Sequence, residues 1–413
     1  MKKVIIVGAG VAGLAAAQKL KSNNFDVLIL EARGNIGGRI ITDRSIANFP
    51  VELGAEFIHG DKTAIWDFID KNKTIPFGHH EKISIKIGEN WVEDNRLKIF
   101  EDAYKSLDRY DLNTKDMSIK EWVETLDFPD DVKEVTGYRL SHVYLAKGEE
   151  ISTKESAHEN NVDHSGDGNF LIKDGFDVLV KNLAEGLEIK KNTVVQQVVH
   201  DDMKVKVICN DGGVEFVADA VILAVPISIL QKEKIKFIPN LPESKLKAVE
   251  SIMMGSVTKV VLSFSKSFWD ISSSFFITIN PNSVWWSPSK GRNGTDNIFT
   301  AFLANDEARE IDKLDEKSAI DKTLKKLSII FNQDVSKIFL KGKVISWDKE
   351  PWILGGYSFI PVGAFGAREA LAKSVENKIF FAGEATAYNT NPATVHGAIE
   401  SGWRVADEIL ANL

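Results

Sequence analysis

The chain opens with two apolar runs separated by a glycine-rich turn and a stretch of helix-forming residues. Residues 4–7 (VIIV) are a β-branched run that predicts a buried parallel strand. Gly8, Gly10 and Gly13 follow with G-x-G-x-x-G spacing, and residues 27–30 (VLIL) form the second run. This order of strand, glycine turn, helix and strand predicts a Rossmann-like nucleotide-binding unit.

The three glycines and the acidic residue after the second run have separate roles in such a unit. One glycine makes the turn, one lets the backbone approach a pyrophosphate, and one lets the helix pack on the strand. The helix N-terminus then faces the phosphates. Glu31 can accept hydrogen bonds from both ribose hydroxyls of an adenosine, and its charge disfavours the 2′-phosphate of NADP.

The same opening residues partly fit an export signal, because two lysines precede the apolar run. Gln18 and Lys19 come too early for a membrane-spanning helix, which needs about 20 apolar residues. Cleavage near residue 17 would remove the glycine turn. We therefore interpret the stretch as part of the fold and expect neither an export signal nor a membrane anchor.

A second junction between a strand and a helix is predicted near the C-terminus. Residues 379–382 (IFFA) predict a buried strand and are followed by Gly383 and Glu384. An amphipathic helix is predicted from about Thr394 to Leu413. Its apolar face carries Ile399, Trp403, Ala406, Leu410 and Leu413.

The patterns along the chain divide it into two interleaved domains. Sheet-like patterning predicts a nucleotide-binding domain assembled from residues 1–76, 170–232 and 377–413. Residues 77–169, which have helical periodicity, and residues 233–376 are predicted to form a substrate-binding domain. The ligand cavity is then expected between the two domains.

Three strands are predicted within the middle segment of the nucleotide-binding domain. Residues 193–199 and 205–209 are expected to pair, with a hairpin turn signal at residues 211–213 (DGG). Residues 220–226 (AVILAVP) predict a further buried strand.

Composition narrows the class of protein and its location. The net charge is −8 over 413 residues, which argues against a general nucleic-acid binder. The run from Glu233 to Glu250 contains several lysines, but we interpret it as a solvated helix face. Cys209 is the only cysteine, so no intrachain disulfide can form, and a reducing, cytoplasmic location is expected.

The histidines do not suggest a metal site. His79 and His80 are adjacent, so both cannot face one site on a regular element, and no cysteine or carboxylate cluster completes a ligand set. We interpret these two histidines as surface residues and expect no metal. A G-x-S-x-G motif is also missing, which leaves a serine hydrolase without support.

Residues 31–39 (EARGNIGGR) distinguish between the nucleotides that the glycine turn could hold. The glycine pair adds backbone N–H groups, and Arg39 adds a planar guanidinium that suits phosphate. The stretch resembles the E-x(6)-GGR sequence of the flavin amine oxidase superfamily. The resemblance implies FAD as the cofactor, with Ala32, Arg33, Gly38 and Arg39 among the residues that bind it.

Four further segments resemble this family. Residues 381–402 (FAGEATAYNTNPATVHGAIESG) are similar to the C-terminal flavin motif of polyamine oxidases and of the lysine-specific histone demethylase. Residues 51–60 (VELGAEFIHG) resemble the loop that runs over the flavin. Residues 255–269 (GSVTKVVLSFSKSFW) resemble the strand that carries a lysine near the flavin, and residues 347–359 (WDKEPWILGGYSF) resemble the W…P…G-S/C-Y segment. The likeness therefore spans the whole chain.

The resemblance implies an α/β fold with a discontinuous, Rossmann-like FAD-binding domain and an inserted α+β substrate-binding domain. It implies an FAD-dependent amine oxidase that transfers a hydride from an amine to flavin, releases an imine for hydrolysis and forms hydrogen peroxide. A polyamine or other alkyl amine is the expected substrate, and the expected partners are this small molecule and dioxygen. The sequence does not indicate an oligomeric state.

The resemblance also implies roles for individual residues. Lys259 lies where the family has a lysine that reaches the flavin N5 atom through a water, Tyr357 where an aromatic residue walls the substrate cavity, and His59 where animal polyamine oxidases have an active-site histidine. These three are the expected catalytic residues. The expected cofactor-binding residues are Gly8, Gly10, Gly13, Glu31, Ala32, Arg33, Gly38, Arg39, Gly54, Ala55, Glu56, Val195, Trp352, Gly383, Glu384, Thr394 and Val395.

Two positions depart from the monoamine oxidases of this family. Gly356 stands where those enzymes attach FAD to a cysteine, so non-covalent FAD is expected. Thr394 stands where they have a second aromatic wall, so a wider cavity, or one built for a longer amine, is expected.

Two alternatives remain open from the sequence. A protoporphyrinogen-oxidase-like or carotenoid-desaturase-like enzyme would share the FAD loops but not the segments around Lys259 and Tyr357. A non-catalytic, flavin-bearing binding protein is the second alternative, but such a protein would not need to retain Lys259, Tyr357 and Glu384.

Overall fold

The structure of the chain is a computed structural model, and it describes residues 1–77, 82–201, 203–210, 213–292 and 296–413. Its strands, numbered β1 to β23 within these residues, are Lys3–Val7, Asp26–Leu30, Thr42–Asp43, Val51–Glu52, Ile58–His59, Thr74–Phe77, Lys82–Ile87, Asn90–Trp91, Asn169–Ile172, Glu188–Lys190, Val195–His200, Val205–Cys209, Val214–Ala218, Ala220–Leu223, Lys236–Ile238, Met253–Met254, Val257–Phe264, Ser273–Ile279, Ser283–Trp286, Asn297–Ala304, Phe339–Ser346, Ser358–Phe359 and Ile379–Phe381. Its α-helices, numbered α1 to α12 over the same residues, are Val11–Ser22, Leu97–Lys105, Ile119–Glu124, Asp130–Val143, Thr153–Val162, Asp177–Ala184, Ile227–Gln231, Glu243–Ser251, Asn305–Asp312, Glu316–Ile330, Ala367–Ala372 and Val395–Asn412.

A parallel sheet of five strands, in the order β10–β2–β1–β14–β23, forms the core of the nucleotide-type unit. On one face Val4 and Ile6 pack with α1 and α12, and on the other Ile5 and Val7 pack with the four-stranded sheet β13–β12–β11–β15. Burial on both faces explains why β1, β14 and β23 are almost continuous apolar runs. The strand predicted at residues 220–226 is confirmed, but it ends at Leu223.

A larger sheet has seven strands in the order β21–β17–β20–β19–β18–β7–β8. Its pairs are antiparallel except that of β18 with β7. Alternate residues of β17 face opposite sides of this sheet. Val260 and Leu262 pack against α10 through Leu324 and Leu327, whereas Lys259 lines the central cavity.

The predicted local pairings agree with the structure where it describes them. Residues 193–199 and 205–209 correspond to β11 and β12, which pair in antiparallel fashion. Asp211 and Gly212 of the predicted turn lie outside the described residues. The C-terminal helix is α12, and Thr394 is its N-cap.

One strand pair crosses a predicted domain boundary. β15, which the sequence assigns to the substrate-binding domain, pairs in parallel with β11 of the nucleotide-binding domain. The strands of the five-stranded sheet all lie within residues 1–76, 170–232 and 377–413. The division of the chain into two domains at these residues stays a prediction. In the described part of the chain, no helix is both long enough and apolar enough to cross a membrane.

The lysine-rich run from Glu233 to Glu250 is not a uniformly solvated helix face, which corrects the sequence-based interpretation. Lys245 is 4% exposed, and its ammonium donates to the carbonyl oxygens of Ala370 at 2.9 Å, of Leu371 at 2.6 Å, and of Lys373. These carbonyls belong to the C-terminal end of α11, where the helix itself supplies no donors. Burial lowers the pKa of Lys245 to about 7.

Helices α1 and α12 approach each other closely because a glycine lies at their contact. A Cβ on Gly402 of α12 would lie 2.3 Å from the carbonyl oxygen of Ala12. A Cβ on Gly13 of α1 would lie 2.1 Å from the carbonyl oxygen of Gly8. Both separations are shorter than real contacts allow, so the layer of helices can lie this close to the sheet only with glycine at both positions.

We predict that Gly402→Ala destabilises the protein by about 2 kcal/mol or more, because α12 must move away from α1. The matched control is Gly137→Ala inside α4, where a Cβ would meet only methyl groups of Val123 at 3.8 and 3.9 Å. That change should stabilise the protein by about 0.5–1 kcal/mol, because alanine is the better helix former. Chemical denaturation measures both effects, and equal effects would contradict the packing argument.

Candidate functional site

A cavity of about 470 Å³ lies between the carboxyl ends of the parallel strands and one face of the seven-stranded sheet. Val7 and Leu30, at the ends of β1 and β2, line one side, and Lys259 and Phe302 line the other. The crevice outside the carboxyl ends of parallel strands is where open α/β sheets bind ligands. The residues predicted from the sequence that line this cavity are Gly8, Gly10, Glu31, Ala32, Arg33, Gly38, Arg39, Gly54, Ala55, Glu56, His59, Val195, Lys259, Trp352, Tyr357, Gly383, Glu384, Thr394 and Val395.

The glycine turn presents bare backbone to the cavity. Gly8 has a φ of +105°, and its N–H donates to the carbonyl oxygen of Leu30 at 2.8 Å. A Cβ on Gly8 would lie 2.5 Å from the carbonyl oxygen of Ala224, whereas a Cβ on Gly10 would meet no atom within 4 Å. Gly10 is the N-cap of α1, so open space lies at a helix terminus whose dipole favours an anion.

Glu31 is held at the end of β2 by the backbone. The side chain is buried, and its oxygens accept from the N–H of Ala9 at 2.8 Å and from the N–H of Arg33 at 2.9 Å. The Arg33 guanidinium in turn donates to the carbonyl oxygen of Gly38 at 2.6 Å. Each carboxylate oxygen retains a second lone pair, so Glu31 can still accept hydroxyl groups of a ligand.

Arg39 joins two distant parts of the cavity wall. Its guanidinium donates to the carbonyl oxygen of Gly356 at 2.6 Å and to Glu384 Oε1 at 3.0 Å. A Cβ on Gly356 would lie 2.4 Å from a methyl carbon of Leu145 and 2.6 Å from one of Val257. Position 356 therefore has no room for a side chain unless its neighbours move.

Glu384 belongs to a buried network of charged groups. Its Oε2 accepts from Ser358 Oγ at 2.6 Å, and Arg368 donates to the same Oγ at 2.6 Å. Arg368 is 1% exposed and also pairs with Glu155 and Glu159. Burial by itself would raise the pKa of Glu384, but the two neighbouring guanidinium groups hold it below its usual value. Glu384 is therefore a fixed negative charge.

Helix α12 begins at the cavity wall. Thr394 Oγ1 accepts from the N–H of Gly397 at 3.0 Å and donates to the carbonyl oxygen of Asn391 at 2.7 Å. Val395, the first residue of α12, also lines the cavity. The positive end of a second helix dipole therefore lies at this wall. The small side chain of Thr394 also serves as a helix cap. The resemblance to the family implied its place in the cavity wall but not this cap.

Lys259 projects from β17 into a shell of acceptors. It is 2% exposed, and its ammonium donates to Glu56 Oε2 at 2.7 Å and to the carbonyl oxygens of Gly54 at 2.9 Å and Glu52 at 3.0 Å. An ammonium has three donors, so this arrangement uses all of them. The contact to the flavin N5 atom through a water stays a prediction, and it requires one of these bonds to be exchanged.

Two buried carboxyl groups lie beside this lysine. Burial, together with the nearby charge of Glu56, raises the pKa of Glu52 to about 7. Glu56 Oε1 and Trp286 Nε1 are buried and have no hydrogen-bond partner among the described residues, and both side chains line the cavity.

Tyr357 and His59 are held in fixed orientations at the cavity wall. The Tyr357 hydroxyl donates to the carbonyl oxygen of Val143 at 2.7 Å. The His59 ring, which is exposed to the cavity, donates from Nδ1 to Asn169 Oδ1 at 2.6 Å. Burial lowers the pKa of His59 and raises that of Tyr357. Both side chains are therefore neutral near pH 7 and suit positioning better than carrying charge.

The sequence did not identify a large apolar part of the wall. His142 Nε2 donates to the carbonyl oxygen of Phe302 at 2.7 Å, and burial lowers the pKa of His142 to about 4. In β18, β19 and β20, residues that face the core alternate with residues that face the cavity. This alternation was the only sequence signal for the aromatic residues on these strands. The unpredicted residues at this end include Phe57, His142, Phe275, Val284, Trp286 and Phe302. A second unpredicted group follows β14 and comprises Ala224, Val225, Pro226, Ile229, Lys234 and Ile235.

Other residues considered from the sequence contribute no side chain to the described lining. Gly13 packs beneath the glycine turn, and Cys209 is buried in β12, where burial raises the pKa of its thiol to about 11. His79 and His80 lie outside the described residues. Among the residues that the structure does describe, no group of three or more His, Cys, Asp or Glu side chains could hold a metal ion.

Comparison with known proteins gives matches over nearly the whole chain. The family model described as flavin containing amine oxidoreductase matches residues 11–410. Lysine-specific histone demethylase 2 of Homo sapiens is 28% identical over 456 residues, which cover 99% of this chain and 53% of the demethylase. Polyamine oxidase 4 of Oryza sativa subsp. japonica is 28% identical over 436 residues, which cover 98% of this chain and 88% of the oxidase. The chain spans between 30% and 58% of the length of three demethylase relatives.

Solved structures show the same fold. The cyclohexylamine oxidase from Brevibacterium oxydans IH-35A has a TM-score of 0.85 at 20% identity, with 99% of each chain covered. Wild-type putrescine oxidase bound to putrescine has a TM-score of 0.84 at 20% identity, with 100% of this chain and 99% of that chain covered. These similarities confirm the predicted α/β fold class with its Rossmann-like unit.

We predict that Lys259→Met destabilises the protein by about 3–5 kcal/mol, because the charge of Glu56 then stays buried without a partner. The double variant Lys259→Met with Glu56→Gln removes both charges and should recover most of this loss. Chemical denaturation of the two single variants and the double variant gives the coupling free energy. Additive effects of the two substitutions would show that the pair does not interact as described.

We also predict that His142 makes the protein less stable in acid. The unfolded chain protonates this histidine near pH 6.5 and the folded protein only near pH 4, so stability falls as the pH drops between these values. His142→Gln, which can still donate to the Phe302 carbonyl, should reduce the fall by up to about 3 kcal/mol. Unfolding free energies measured at several pH values test this, and an unchanged pH dependence would contradict it.

Proposed function

The chain belongs to the flavin-containing amine oxidoreductase family, and on that premise we propose that it is an FAD-dependent amine oxidase. The observation that carries the proposal is a single cavity with two chemically different ends. Gly10, Glu31 and Arg39 supply backbone, carboxylate and guanidinium groups suited to a dinucleotide. Tyr357 and Trp286 belong to an aromatic end suited to an apolar substrate.

The nucleotide end fits FAD in three respects. The open backbone at Gly10 leaves room for a pyrophosphate, because no atom lies within 4 Å of the Cβ position there. Glu31 has acceptor capacity left for a ribose. The N-terminus of α12, at Val395, offers a dipole that stabilises negative charge on the flavin ring system.

Non-covalent attachment of FAD is part of the proposal. Gly356 stands at the position where monoamine oxidases of the family have a cysteine bonded to FAD. A Cβ at this position would lie within 2.6 Å of atoms of Leu145 and Val257. Cys209, the only cysteine of the chain, is buried in β12 and is absent from the described lining of the cavity. Both observations support a cofactor held by hydrogen bonds and charges alone.

A bound flavin supplies a two-electron acceptor that takes a hydride from the carbon beside the amine nitrogen and returns the electrons to dioxygen, which gives hydrogen peroxide. The nitrogen lone pair forms the C=N bond as the hydride leaves, so the amine has to be neutral. Water then hydrolyses the imine to a carbonyl compound and a free amine or ammonia. The aromatic walls of the cavity favour this chemistry because they disfavour the ammonium form by desolvation.

The side chains at this end position the substrate and exclude water. Tyr357, held by its bond to Val143, offers a rigid aromatic face. His59, held by Asn169, offers a neutral imidazole. Lys259, held by Glu56, keeps a cation beside the loop of residues 51–60 and can exchange one bond to handle a proton or a water.

The proposal includes the substrate class and location expected from the sequence. A polyamine or another alkyl amine is the substrate, and the relatives described as polyamine oxidases support an amine of this kind. Dioxygen is the second reactant. A cytoplasmic location is supported only by the single cysteine, Cys209.

We expect the purified protein to be yellow and to release its flavin when it is denatured in acid, because Gly356 offers no point of attachment. An alkyl amine added without oxygen should bleach the flavin absorption. Dioxygen should restore the absorption and yield one hydrogen peroxide per amine oxidised. A yellow protein that no amine bleaches would contradict the catalytic part of the proposal and favour a flavin-bearing binding protein.

The matched variant for this experiment is Gly10→Val. Its side chain would extend into open space, so the fold should be retained, but it would fill the position proposed for the pyrophosphate. We expect a folded, colourless protein with the circular dichroism spectrum of the parent. Full retention of flavin by this variant would show that the nucleotide lies elsewhere.

A further inference from the structure

One face of the seven-stranded sheet forms an apolar wall of the cavity. Strand pairing sets Lys259, Phe302 and Val284 in one row, since Phe302 of β20 lies opposite Lys259 of β17 and Val284 of β19. In the neighbouring row Trp286 lies opposite Phe275 of β18. All five residues line the cavity, and only Lys259 among them carries a charge.

Three carboxylates belong to the described lining of the cavity, and each of them already has a cationic partner. The pairs are Glu31 with Arg33, Glu384 with Arg39, and Glu56 with Lys259. One oxygen of this set, Glu56 Oε1, has no partner among the described residues. All three carboxylates of the described lining are therefore paired, and the four cations Arg33, Arg39, Lys234 and Lys259 outnumber them by one.

The lowered pKa values of the histidines in the cavity wall indicate that this environment stabilises a positive charge poorly. Burial lowers the pKa of His142 to about 4, and it also lowers the pKa of His59. The buried His142 ring stays neutral because its surroundings offer an imidazolium too little compensation for the water it loses. A substrate ammonium at the same place meets the same penalty.

We propose that the substrate is a monoamine with an apolar alkyl or aryl group, and that amines with a second cationic group are poor substrates. This inference rests on the proposed function and narrows its substrate class to the non-polyamine option. The apolar part of the substrate packs on Val284, Trp286, Phe275 and Phe302. A second ammonium would lose its hydration without gaining an unpaired carboxylate in the described lining.

The test uses three amines of equal chain length that differ only at the far carbon. Hexylamine ends in a methyl group, aminohexanol in a hydroxyl and hexamethylenediamine in a second amine. The initial rate of hydrogen peroxide formation in air is measured against the concentration of each. We expect kcat/KM to be highest for hexylamine and at least tenfold lower for the diamine, with the alcohol in between. The alcohol separates the effect of charge from that of polarity.

A pair of variants tests the same idea from the side of the protein. Val284→Asp places a carboxylate in the apolar row, and Val284→Asn is the matched control of the same shape without the charge. For each variant, kcat/KM for the diamine is divided by kcat/KM for hexylamine. We expect this ratio to be at least tenfold higher for Val284→Asp than for Val284→Asn. If either variant fails to fold, the comparison of the three amines on the parent protein still decides.

The outcomes separate this inference from the proposed function. Hexamethylenediamine or spermidine oxidised as efficiently as hexylamine, or more so, would overturn the inference while leaving an amine oxidase in place. If none of the amines reduces the flavin, the proposed function itself fails. An equal response of both Val284 variants to the diamine would show that the row of Phe302 and Val284 does not contact the far end of the substrate.

Discussion

The ammonium of Lys259 connects the seven-stranded sheet to the loop after β4 by hydrogen bonds, although the two are far apart in the chain. It starts from the seven-stranded sheet and reaches Glu56, 203 residues away, together with the carbonyls of Glu52 and Gly54. All of its donors are used in a buried place, where an unmade hydrogen bond is strongly unfavourable. The loop after β4 is therefore held against the sheet, and the cavity lies beside this connection.

The two ends of the cavity differ in polarity because charged groups are paired at one end and largely missing from the described lining at the other. At the nucleotide end, Arg39 and Glu384 keep their charges because they pair with each other and with the network around Arg368. At the aromatic end, the pKa values of His59 and His142 are lowered, because the hydrogen bonds to Asn169 and Phe302 compensate only part of the cost of burial. The cavity thus has one end lined by paired charges and another end that disfavours a positive charge.

Relatives and neighbours of this chain carry names that include both monoamine and polyamine substrates. The fold alone does not choose between them, because the architecture is common to all and the substrate meets only a few side chains. In this chain we propose that the choice depends on the row of Phe302 and Val284 and on the carboxylates being already paired. The substrate class is therefore a property of particular side chains on a shared sheet.

Residues close together in the chain were enough to predict the parallel sheet, the turn at Gly8 and Gly10 and the carboxylate of Glu31 at the end of β2, because strand burial and turn geometry are local properties. The resemblance added the other expected cofactor residues but not their hydrogen-bond partners. The use of all three donors of Lys259, the capping of α11 by Lys245 and the identity of the aromatic residues that face the cavity became known from the folded structure. These contacts join segments separated by more than a hundred residues, and no local pattern encodes which of them meet.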